Sequence, residues 1–84
     1  MIAKIGDYVI VNWLDSSHAD EDTFTEDIPA MQPSKAVTCG QLLSMDSDKI
    51  IIASTKFIDT RICYRDVLTL PKAVVISMQR MEVE

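Results

Sequence analysis

Five short runs rich in β-branched residues, separated by turn-forming residues, constrain this chain more than any other feature. Runs of this kind, closely spaced, are the mark of an all-β sandwich or barrel. No stretch has the three-to-four-residue apolar spacing of a long helix. In "YVIVNWL" Val9, Val11 and Trp13 share one face, while Tyr8, Ile10, Asn12 and Leu14 share the other. Both faces carry apolar residues, so this strand is expected to be covered on both sides. The second run is "AVTCGQLLSM", residues 36 to 45. Gly40 sits inside it, and an interior glycine weakens a strand unless the backbone bends or another backbone approaches closely.

"DSDK", residues 46 to 49, supplies a turn, and "IIIAST" is expected to pair antiparallel with the strand before it. "KFIDTRICY" mixes Phe57, Ile58, Ile62 and Tyr64 with charges, and two readings stay open: a hairpin excursion, or a loop tucked under the barrel. "RDVLTL" is again a strand, ended by Pro71, which has no amide hydrogen to give to a ladder. "AVVISMQRM" completes the set. Closing the sheet removes exposed edges, so the expected architecture is one small, strongly bent, five-stranded barrel spanning residues 1–84.

Size and charge bound the function. A chain of 84 residues buries only about 60 to 65% of its unfolded surface, which makes help from oligomerisation reasonable. The net charge is −5, yet residues 15–34 hold six acids and no bases, leaving +1 for the rest (−5 less −6). This acidic loop, residues 15–35 between the first two strands, is long for a compact domain, and such loops are functional or disordered. Its later part regains apolar residues. Phe24, Ile28 and Met31 are candidates to cover the barrel end or to dock on a neighbouring protein.

Catalysis is not expected. A nucleophile needs a positioned base, and the chain offers only Cys39, Cys63 and His18, with no spacing that joins them. Gly6 and Gly40 are the only glycines, too few for a phosphate loop, and a lone histidine rules out zinc sites built on two imidazoles. Asp15, Asp20, Asp22, Glu26 and Asp27 supply carboxylates for calcium but lack the spacing and turn glycine of a helix–loop–helix site, as do Asp46 and Asp48. A solvated charged loop is the expectation, with no cofactor and no metal. The two cysteines match no metal spacing and read as reduced thiols in or near strands. No segment reads as a signal peptide or a membrane span, so a reducing cytoplasm is expected, bacterial or that of a phage-infected host.

The second half resembles a known family. In "GQLLSMD" Gly40, Leu42 and Asp46 stand at the offsets of the first Sm motif, and "LPKAVVISM" is similar to the breaker and final strand of the second. The layout also resembles SH3-like barrels, and the early valine-rich strand ending in Trp13-x-Asp15 resembles small proteins of phage or prophage type. Over residues 7–14 and 36–80 the resemblance implies an Sm-like or SH3-like barrel. It also implies assembly into a homo-oligomeric ring, the fourth strand of one copy pairing with the fifth of the next. Leu68, Leu70, Val74 and Ile76 are the residues that such an interface would bury. RNA binding is the alternative, through Lys49, Arg65 and Lys72. Pro71-Lys72 stands where Sm proteins have Arg-Gly, and no asparagine follows Asp46, so uridine recognition does not carry over.

Overall fold

The computed structural model describes residues 3–16, 24–26 and 32–82. Five strands make one antiparallel sheet: β1 (Tyr8–Asp15), β2 (Ser34–Met45), β3 (Lys49–Phe57), β4 (Cys63–Pro71) and β5 (Val75–Arg80). Their spatial order is β4-β3-β2-β1-β5. A 3-10 turn over Lys72–Val74 links β4 to β5. The connection between β1 and β2 therefore covers residues 16–33. Of its expected anchors only Phe24 is described, and it is exposed; His18, Asp20, Asp22, Asp27, Ile28 and Met31 lie outside the described residues.

The core forms where one face of the sheet folds over on itself. Val9 and Val11 of β1, Leu42 of β2, Ile50 and Ile52 of β3 and Leu70 of β4 make a single buried cluster with Ala3. Trp13, Met45, Leu68, Val74, Val75 and Met78 pack around it. The indole Nε1–H of Trp13 donates to Thr38 Oγ1 at 3.0 Å across the β1–β2 ladder, so its polar end is satisfied while the ring packs inward. The opposite face of β1 is only partly covered: Tyr8 is exposed, and Ile10 and Leu14 are half-buried. At the start of the chain, Gly6 takes a φ of +97° in a turn closed by the Asp7 amide donating to the Lys4 carbonyl at 2.9 Å. That positive φ suits glycine and aims the chain into β1.

Gly40 marks the point where β2 changes partner. Residues 34–41 of β2 pair with β1, and residues 41–45 pair with β3, with a register shift between Leu42 and Ser44. A Cβ at position 40 would sit 2.5 Å from the carbonyl oxygen of Ala53. This is the close backbone approach that an interior strand glycine permits. Beyond Ala53, β3 has no β2 partner but stays paired with β4 as far as Phe57↔Cys63. The two strand ends and the turn between them thus form a two-stranded arm, which resolves "KFIDTRICY" as a hairpin.

The expectation of a closed barrel is corrected: the sheet is open, with β4 and β5 as its two edges and no pairing between them. Closure would need these consecutive strands to form a hairpin. Pro71 has no amide hydrogen at that junction. The 3-10 turn then carries the chain across to β1, where Val75 and Met78 lie opposite Trp13 and Val11.

The close approach at position 40 gives a direct test. Gly40→Ala forces a Cβ against the backbone of Ala53, with no flexible side chain to give way, and should destabilise the fold by about 1–3 kcal/mol. Urea unfolding of the two proteins at equal m-value measures it.

Candidate association surface

Among the described residues the outer sides of β4 and β5 have no strand partner, and an open edge of this kind can template pairing with another chain. On β4, Leu70 is 3% exposed and belongs to the core, and Leu68 is half-buried against it. Val74 is half-buried in the linking turn, and Ile76 on β5 is 55% exposed. Of the four interface residues expected from the sequence, Ile76 therefore offers the most free apolar surface. Val67, 52% exposed on β4, is a counterpart that the sequence reading did not single out.

Each edge strand holds one uncharged stretch, in the C-terminal half of β4 and through the middle of β5. Val67–Pro71 reads "VLTLP" and residues 75–79 read "VISMQ". Just before the first, Asp66 has a φ of +58°, the only non-glycine residue in the left-handed region among those described. On either side of it Ala53 pairs with Val67 and Thr55 with Arg65, with no shift of register. A short polar side chain tolerates this conformation better than most.

The arm carries a second cluster. The Arg65 guanidinium lies over the Phe57 ring, 4.9 Å from its centroid, a cation–π contact on the surface. Phe57, Arg61, Cys63, Tyr64 and Arg65 line an open groove of about 390 Å³. Ile58 and Ile62 at the tip are exposed as well. The signal for this surface was present in "KFIDTRICY" as apolar residues crowded around a turn with no core to enter.

The three basic residues of the RNA reading divide between two places. Lys49 faces Pro71 across the β3–β4 ladder, next to Lys72 in the chain. Arg65 lies six residues away along β4, roughly 20 Å at strand spacing. Lys49 Nζ is also engaged, donating to Asp46 Oδ2 at 2.9 Å. Asp46 Oδ1 accepts from the amides of Asp48 and Lys49 at 2.7 and 2.9 Å, which makes it the organising residue of the β2–β3 turn. Lys72 joins that end through its amide, which donates to the Asp48 carbonyl at 2.7 Å.

Cys39 and Cys63 are exposed, unpaired and both in strands. Among the described residues no three His, Cys, Asp or Glu side chains are grouped so as to hold a metal ion. No helix among them is long and apolar enough to cross a membrane. Comparison with protein-family models, curated proteins and solved structures returned no match to this chain.

The turn carboxylate is the titrating group with a clear signature. The Lys49 ammonium hydrogen bond, followed by the Asp48 and Lys49 amides, lowers the Asp46 pKa from 3.8 to about 2. A depressed folded-state pKa means that stability is fully present above 3.8 and is lost as pH falls toward 2. Carboxyl-carbon NMR titration should place Asp46 well below 3.8, and Lys49→Met should move it back toward 3.8. At Asp66 the backbone predicts a different pattern. Asp66→Val should cost about 1–2 kcal/mol in urea unfolding, because a β-branched residue resists that φ, while Asp66→Gly should not.

Proposed function

We propose that this chain is a non-catalytic association module, an Sm-like or SH3-like fold that assembles with itself into a closed homo-oligomeric ring. The observation that carries this reading is the pair of open edges, β4 and β5, at the two sides of one sheet, each with an uncharged stretch. Proteins that stay monomeric blunt such edges with charges, proline or a covering element. Here Val67–Leu70 and residues 75–79 have no charge, and Val67 and Ile76 add exposed apolar surface. Two different edges on one protomer make a head-to-tail contact, which closes into a ring when the rotation between copies allows it.

The reading fits a reducing cytoplasm, with two free thiols and no disulfide among the described cysteines. RNA binding is the competing reading. The separation of Arg65 from Lys49 and Lys72, and the ion pair that occupies Lys49, favour association over it.

Sedimentation equilibrium at micromolar concentration should show one discrete oligomer, and a monomer at that concentration would sink the reading. Val67→Lys combined with Ile76→Lys should shift the mass to that of a monomer with circular dichroism unchanged. Because apolar strand pairing dominates, association should change less than about tenfold between low and high salt. Retention of oligouridylate on a filter, weakening steeply with salt, would instead support the RNA reading through counterion release.

A further inference from the structure

We propose that the arm is a receptor for the acidic connection of a second copy, which sets its Phe24 on the Phe57–Tyr64 surface and its carboxylates against Arg61 and Arg65. The contact goes beyond the edge association and uses none of its residues. Ile58 and Ile62 stand 72% and 60% exposed near the tip, and Phe57 and Tyr64 are exposed behind them. A hairpin that has left the sheet gives this apolar surface no core to enter, and a patch of that kind marks a docking site.

Charge selects the occupant. Residues 55–65 hold Lys56, Arg61 and Arg65 against Asp59, a sum of +2 (three less one). Both arginines line the open groove, with Asp59 and Thr60 between Phe57 and Arg61. Among the described residues neither arginine forms an ion pair. Arg65 over the Phe57 ring can hold an aromatic face and a carboxylate at once. The complementary segment is in the chain itself: residues 15–27 hold six acids, no base, and Phe24 between Asp22 and Glu26. A phenylalanine flanked by carboxylates is the chemistry that a groove of aromatic rings and guanidinium groups takes. The polar tip residues Asp59, Thr60 and Arg61 count against burial of the arm in a lipid bilayer.

Geometry makes the occupant a second copy. β1 ends at Asp15, opposite Ser34 of β2, and β3 runs on from Ala53, opposite Gln41, toward that same end of β2. The arm and the acidic connection therefore leave one end of the sheet. Two copies that meet there can exchange both contacts about a two-fold axis. Within one chain the anchor is not on the arm: Phe24 is 72% exposed, and none of residues 24–26 lines the groove.

Exposed ion pairs are individually weak and screened by salt, so covalent trapping is the test. Two single-cysteine proteins are made with Cys39→Ser and Cys63→Ser: Thr25→Cys beside the anchor, and a larger, tagged Thr60→Cys in the groove. Mixed under mild oxidation, they should give the mixed disulfide dimer in several-fold excess over either homodimer. High salt, or Arg61→Glu with Arg65→Glu in the tagged protein, should remove that excess. A mixed dimer that survives charge reversal would be chance collision and would overturn the inference. So would a chain carrying both cysteines that closes only on itself, since the connection would then bind its own arm. With Val67→Lys and Ile76→Lys added, the mixed dimer should persist. Its loss there would make it a by-product of edge pairing, overturning this inference while leaving the association reading intact. A wild-type protein that sediments as a monomer yet gives the mixed dimer would overturn the association reading alone.

Discussion

The approach of the β2 backbone to Ala53 at Gly40 is the contact on which the rest of the architecture depends. Any side chain there would meet a carbonyl oxygen, which cannot move without breaking the β2–β3 ladder. Because the position is glycine, one twelve-residue strand can serve β1 along its first part and β3 along its last. The sheet then folds over itself, and Val9 and Val11 reach Leu42, Ile50, Ile52 and Leu70. The same geometry releases β3 from β2 after Ala53, so the arm is a consequence of the bend. A straight β2 would have extended the sheet across those residues and left the core without its second wall.

The resulting core is small, and the physics of small domains explains why the edges matter. Seven buried residues make the cluster, and the residues packed around it remain partly in contact with water. Leu68 and Met78 are in that position on the two edge strands. Each of the strands that carry them has one strand partner among the described residues. In the proposed assembly, apolar burial and main-chain hydrogen bonding would arrive together where edges meet.

How much of this was legible in the residues differs by element. The strands were legible because β-branched runs and turn formers state a local preference, and Gly40 announced a close approach because little else justifies a glycine in a strand. Asp46 was legible as a turn residue, and its three hydrogen bonds with Asp48 and Lys49 are what that residue type does at such a place. Openness of the sheet was not legible. Whether consecutive strands close a barrel depends on where a three-residue turn sends the chain, and "LPKAV" encodes a break without a direction. The left-handed backbone at Asp66 and the exposure of Val67 were hidden for the same reason, since both arise from the ladder β4 makes with β3. The distance of Arg65 from Lys49 and Lys72 is set by the β3–β4 ladder, which linear order alone does not give.

The distribution of charge gives the edges their meaning. Edge strands in soluble proteins commonly carry a lysine or another charge at their centre, which makes pairing with a second chain costly. This protein gathers six acidic residues in residues 15–34, keeps β5 uncharged up to Arg80, and places Arg65 and Asp66 beside the central residue of β4. Three charges stand on the edge strands: Arg65 and Asp66 before the uncharged stretch of β4, and Arg80 after that of β5. In the proposed assembly, charges at these places would penalise a register that sets them against apolar residues.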